Sequence, residues 1–200
     1  REQILPRFVD KALGNAEIAR WRARTTAGLS GEIVEIGFGS GLNVPVYPDA
    51  LTRVHAVDPA TVGRKLAAKR VTSSPTEVVY AGLDGEVLPF ADASLDGAVC
   101  TFTLCTVSHP EQALAELRRV VRPGGRFHLV EHGRSPEPSV ARWQERIDPI
   151  QSRLFDGCHL SRDTVRLLTD AGFEIVDLEQ RYIKGPKPLS YFTRAATIRP

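Results

Sequence analysis

Ile33-Val34-Glu35-Ile36-Gly37-Phe38-Gly39-Ser40-Gly41 decides the reading of this chain. An apolar run interrupted by a single acid reads as a buried strand. The alternate glycines that follow read as a tight turn where backbone can approach a ligand closely. A second apolar run, Val54-His55-Ala56-Val57, closes on Asp58. A glycine turn after one strand and an acid after the next describe a nucleotide-type pocket, the acid accepting bonds from ribose hydroxyls.

A dinucleotide fingerprint needs Gly-x-Gly-x-x-Gly, but Gly41 comes one residue early and Leu42 occupies the expected place. Glu35 would repel a diphosphate and suits a cationic ligand. The motif Glu35-x-Gly37-x-Gly39-x-Gly41 resembles motif I of the class I methyltransferases that use S-adenosylmethionine (SAM). That ligand carries a sulfonium and an ammonium but no phosphate. Phe38 departs from the small residue or Cys often found at its position, which narrows the pocket.

The chain has 200 residues with 42% hydrophobic content, enough for one domain with a sizeable core. A net charge of +2 with scattered basic residues gives no nucleic-acid footprint. Arg20-Trp21-Arg22-Ala23-Arg24 reads as a solvated helix face. No apolar run approaches a membrane span and no signal peptide opens the chain, so cytoplasm is the expected location. Cys100, Cys105 and Cys158 show no close metal-ligand spacing, and neither a metal nor a disulfide framework is predicted. Cys100 lies in an apolar run and reads as core, and Cys158 as a buried, inert thiol or, alternatively, a reactive one.

Strand-like and helical runs alternate along the chain, the pattern of a doubly wound α/β sheet. Residues 1–28 read as helical, broken at Gly14, and as a lid over the ligand site. Strands are expected at 32–36, 53–57, 77–80, 95–101 and 126–131, with a helix through 62–68. Ser108-His109-Pro110-Glu111 reads as a capping box opening a helix that ends at Pro123-Gly124-Gly125. A substrate-side insertion, 133–160, holds a helix over 140–154 and the loop Phe155-Asp156-Gly157-Cys158-His159-Leu160. A helix over 161–171, a strand at 174–178 and a final strand at 191–198 complete the chain.

Further segments resemble the same enzymes: Asp84-Gly85-Glu86-Val87-Leu88-Pro89-Phe90, Ser94-Leu95-Asp96, Leu117 to Gly125, and Phe192-x-x-Ala195. The resemblance implies a Rossmann-like, seven-stranded doubly wound sheet with a C-terminal antiparallel hairpin. It also implies a cofactor set. Gly37, Gly39 and Gly41 pass beside the methionine moiety of SAM, Glu35 reaches its amino group, and Ser40 contacts it. Asp58 binds the ribose hydroxyls, Pro59 lies on the adenine, Asp84 and Gly85 read the adenine edge, and Thr101 lies beneath the cofactor. Taken singly, the glycines could serve the turn alone, Thr101 could cap a strand and Asp58 a helix.

Val99 to Val107, Val130-Glu131-His132 and Leu154 to Arg162 are similar to the methyltransferase-like protein 7 family of membrane-associated thiol S-methyltransferases. This implies a small-molecule acceptor, first a thiol or hydrogen sulfide. Without the family's N-terminal apolar anchor, membrane attachment is not expected to carry over. A thiol needs little base. A ring acceptor needs one, and His132 and His159 are the candidates, with Asp156 orienting; each histidine could equally be structural. Phe8, Trp21, Trp143 and Phe155 line an apolar acceptor pocket or belong to the core. Three alternatives stay open: methylation of a quinone-like ring, a SAM-binding module without catalysis, and a NAD-type oxidoreductase.

Overall fold

The computed structural model describes residues 13–155 and 157–200. Helix α1 (Ala16–Thr26) precedes β1 (Gly31–Ile36), a 3-10 turn (Val44–Val46), β2 (Leu51–Val57), α2 (Thr61–Thr72), β3 (Glu77–Gly82) and β4 (Leu95–Thr101). Then come α3 (Pro110–Val120), β5 (Val121–His132), α4 (Pro138–Leu154), α5 (Thr164–Asp170), β6 (Glu174–Tyr182), the single turn α6 (Lys187–Ser190) and β7 (Tyr191–Ile198). The strands form one seven-stranded sheet in the order β3-β2-β1-β4-β5-β7-β6. Strands β1 to β5 are parallel, whereas β7 runs antiparallel to β5 and β6. This is the expected Rossmann-like sheet with its closing hairpin. The chain winds outward from β1 through β2 to β3, then crosses to β4 on the other side of β1. That reversal opens a crevice at the carboxyl ends of the strands, where ligands of such sheets collect.

The apolar runs exist because both faces of the central strands are covered. Val34, Ile36, Ala98 and Cys100 pack with Leu114, Leu117 and Leu129 on one face, while Ile33, Val54 and Val99 pack with Leu29 and Leu51 on the other. Cys100 is core, as expected. Helix α3 buries Ala113, Leu114, Leu117 and Val120, one stripe at helical spacing.

Two expectations around α3 are corrected. Ser108 does not cap the helix; the cap position is His109, without a side-chain cap bond. Glu86 reaches over from the loop after β3, its Oε1 accepting the His109 N–H at 2.9 Å and its Oε2 lying 2.8 Å from His109 Nδ1. A carboxylate is the better partner for the positive end of a helix. Nor does α3 run on to Pro123-Gly124-Gly125. Strand β5 begins at Val121, and residues 122–125 bulge out between the pairs Leu95–Val121 and Gly97–Arg126.

Asn15 caps α1, its Oδ1 accepting from the N–H groups of Glu17 at 3.0 Å and Ile18 at 3.1 Å. Ile18, Trp21, Arg22, Thr25 and Thr26 form the buried stripe. The expected solvated face therefore fails at its centre: Arg20 and Arg24 are exposed, but Arg22 falls four residues after Ile18 and turns inward. Trp21 is core, edge-on to Phe192 at 5.7 Å between ring centroids. Trp143 is exposed, and Phe8 lies outside the described residues. No helix among the described residues is long and apolar enough to cross a membrane.

Candidate active site

Glu35 ends a strand buried on both sides and is itself 1% exposed. Its Oε1 accepts from Asn43 Nδ2 at 3.0 Å and its Oε2 from the Tyr47 hydroxyl. The other end of the Asn43 amide, Oδ1, accepts from Arg22 Nη1 at 2.9 Å. Thr101 Oγ1, at the end of β4, accepts from Arg22 and, at 3.1 Å, from Asn43. Burial pushes the Glu35 carboxyl up to about 7, against the opposing pull of the Tyr47 bond and the Arg22 charge. Burial also brings Arg22 down to about 10, still a cation at neutral pH. The site thus presents an acid and a guanidinium on either side of one amide.

The turn after β1 is held by Asp58, whose Oδ2 accepts the Gly39 N–H at 2.7 Å and whose Oδ1 accepts the Ala60 N–H at 2.7 Å. Burial raises its carboxyl above the usual range despite these bonds. The glycines play different parts. A Cβ on Gly37 would lie 1.8 Å from Thr103 Oγ1, so the chain itself fills that space. A Cβ on Gly39 would meet only the Gly37 carbonyl oxygen, at 3.9 Å, leaving room for a ligand. Ser40 is half-buried and its carbonyl accepts from Arg70 Nη1 at 2.7 Å. Pro59 is exposed beside Asp58. Asp84 is exposed with its Oδ1 accepting the Glu86 N–H at 2.8 Å, and a Cβ on Gly85 would press on Ile36 Cγ2 at 2.6 Å. That approach seats residues 84 and 85 against the end of β1. A zwitterion with an ammonium and a carboxylate matches the Glu35–Asn43–Arg22 set, and Arg22 Nε is buried without a hydrogen-bond partner.

A second group lies at the end of β5. His132 Nε2 is 3.1 Å from Cys158 Sγ. The ligand-type atoms of Cys105, His132 and Cys158 all lie within 4.8 Å of one another, which their distant positions in the chain concealed. The loop bearing Cys158 is tied to the β4–α3 loop by the His159 N–H, donated to the Cys105 carbonyl at 2.8 Å. Bonds from Cys105 and His132 hold the Cys158 thiol well below its ordinary value in spite of burial. Glu131, beside Cys105, accepts the N–H groups of Thr103 at 2.7 Å and Leu104 at 2.9 Å. His159 is more open and lies 3.5 Å from Asp148 Oδ2 through its Nδ1, while Asp156 is outside the described residues.

Glu35, Asp58, Gly85, Thr101 and His132 all fall at the carboxyl ends of β1 to β5 or in the loops leaving them. Sequence reasoning missed Arg22, Asn43 and Tyr47. Only Arg22 left a signal, by falling on the apolar stripe of its own helix.

Residues 34–129 match the family described as "Methyltransferase domain". The chain is 36% identical to the thiol S-methyltransferase TMT1B of Homo sapiens over 172 residues, which cover 82% of this chain and 68% of that protein. It is 37% identical to the thiol S-methyltransferase TMT1A of Homo sapiens over 169 residues, 80% of this chain and 67% of that protein. It therefore spans about two thirds of the length of these relatives. Among solved structures, geranyl diphosphate methyltransferase in complex with SAM superimposes with a TM-score of 0.70, at 14% identity, over 91% of this chain and 84% of that one. At that identity the likeness shows the fold. The relatives carry the rest: this chain belongs to the class I SAM-dependent methyltransferases, and SAM is its cofactor.

Proposed function

We propose that the methyl acceptor is a small thiol or hydrogen sulfide. The observation that carries this reading is the 36% and 37% identity to two human thiol S-methyltransferases. When bound, SAM supplies an electrophilic methyl group on a sulfonium. Glu35 would hold the ammonium of the cofactor and Arg22 Nε its carboxylate, on either side of Asn43. The backbone from Gly37 through Ser40 to Gly41 would lie along the methionine chain, and Thr101 beneath it. Asp58 would accept from the ribose hydroxyls, with Pro59 on the adenine face and Asp84 and the Gly85 amide at its edge.

A thiol has a pKa of about 8.5, so a few per cent is already thiolate near neutral pH and no dedicated base is needed. Where an acceptor does need one, His159 is the freer of the two histidines, because Nε2 of His132 is engaged by Cys158. Asp156 keeps its proposed role as orienter. The test is S-adenosylhomocysteine release from SAM with hydrogen sulfide and small thiols, beside hydroquinones and an acceptor-free blank. Turnover with the thiols is expected; turnover with the hydroquinones alone overturns the thiol reading.

A further inference from the structure

We propose that Cys105, His132 and Cys158 form a three-ligand site for a soft divalent metal ion, zinc in the first instance, with a fourth position left for a thiol. The three come from separate parts of the fold: the β4–α3 loop, the last residue of β5 and the loop after α4. Their ligand-type atoms lie within 4.8 Å of one another, and the His132–Cys158 pair within 3.1 Å. Two sulfurs and a nitrogen sharing a tetrahedral zinc stand about 3.5–3.8 Å apart, given bonds of about 2.3 Å to sulfur and 2.0–2.1 Å to nitrogen. Side-chain shifts on the order of 1 Å therefore close the site.

The donor set is selective. Two thiolates and an imidazole suit zinc and similar soft ions and disfavour magnesium or calcium. On loading, both cysteines bind as thiolates and His132 as the neutral imidazole, any protons they carry going to solvent, and the two thiolates balance the charge of the ion. Two buried polar atoms at the cluster have no hydrogen-bond partner: His132 Nδ1 and Glu131 Oε2, the latter on a carboxylate that contacts Cys105. Three protein ligands with one open position is the arrangement of catalytic zinc, whereas structural zinc is closed by four. His132 is partly buried and both cysteines are buried, so the fourth ligand must be small. The thiol as fourth ligand rests on the thiol-acceptor reading; the metal site does not.

The test is titration of the reduced, metal-stripped full chain with cobalt(II), followed by absorption. One equivalent should bring a sulfur-to-cobalt charge-transfer band with the intense visible bands of a tetrahedral ion, and one equivalent of zinc should abolish them. Cys158→Ser and His132→Gln should each weaken binding at least tenfold while circular dichroism stays native. Hydrogen sulfide should then shift the visible bands of the wild-type complex. Absence of the charge-transfer band in reduced wild-type protein overturns the site, whether or not thiols are methylated. Bands that hydrogen sulfide leaves unmoved overturn the fourth-ligand assignment alone. Thiol turnover by the stripped enzyme, measured in parallel, separates either failure from failure of the acceptor reading.

Discussion

The guanidinium of Arg22 and the carboxyl of Glu35 are buried and joined through one amide, Asn43 accepting from the first at 2.9 Å and donating to the second at 3.0 Å. A direct ion pair would satisfy both groups internally. The amide bridge instead takes one bond from each and leaves Arg22 Nε without a partner, the atom proposed to meet the ligand's carboxylate.

Arg22→Met should weaken S-adenosylhomocysteine binding by roughly 10- to 100-fold, the equivalent of one charge-assisted bond at about 1.5–3 kcal/mol. Arg22→Lys should recover only part of the loss, since an ammonium cannot reproduce the fork that meets Asn43, Thr101 and a carboxylate together. Isothermal titration calorimetry reads both. A dissociation constant unchanged in the Met variant would return Arg22 to a purely structural role.

Glu35 should make cofactor binding depend on pH. Its carboxyl is ordinarily near 4.5 and burial raises it to about 7. The neutral form is thus favoured in the fold, and its stabilising contribution is complete below the unfolded value and lost as pH rises through about 7. Loss of that contribution amounts to about 3 kcal/mol. The ammonium of the ligand needs the carboxylate, so affinity should climb over the same interval. Glu35→Gln should flatten the affinity profile and raise the melting temperature at pH 8 relative to wild type. A wild-type profile that is already flat between pH 6 and 8 contradicts the assignment.

The glycines of the turn should separate on mutation. Gly37, at φ +74°, has Thr103 where a Cβ would go, so Gly37→Ala should lower the melting temperature sharply. Gly39, at φ +54°, faces open space, and alanine there should cost only about 1–2 kcal/mol of backbone strain while still obstructing the ligand. The expected result is a stable Gly39→Ala protein with poor cofactor affinity. Full affinity in that variant would show that the cofactor does not pass this glycine.

The parts of this fold that were legible in the sequence are those fixed by local pattern. Ile33 to Ile36 and Leu95 to Thr101 are apolar because both sheet faces are covered, and the Glu35-to-Gly41 run announces its own turn. What stayed hidden depends on contacts between distant segments. The cap of α3 comes from Glu86, 23 residues before the His109 it bonds, and the Cys105–Cys158 approach spans two loops. Arg22 was misread because charge suggested solvent, although its place after Ile18 pointed inward. Asn43 carries no local signal in the sequence, and only the geometry shows its amide bridging Arg22 and Glu35.

Asp58 offers the sharpest separation of architecture from ligand binding. Its two oxygens accept the Gly39 and Ala60 N–H groups, so it clamps the glycine turn to the end of β2 and is also the proposed ribose acceptor. Asp58→Ala should lower both stability and S-adenosylhomocysteine affinity, each lost charge-assisted bond accounting for about 1.5–3 kcal/mol. Asp58→Asn keeps one acceptor and replaces the other with a donor that opposes a backbone N–H. It should therefore destabilise the turn to a comparable degree. The informative comparison is thermal melting with and without saturating S-adenosylhomocysteine. If Asp58 holds the ribose, the ligand-induced rise in melting temperature should shrink in both variants. A lowered melting temperature with an undiminished ligand-induced rise would leave Asp58 as a clamp for the turn alone.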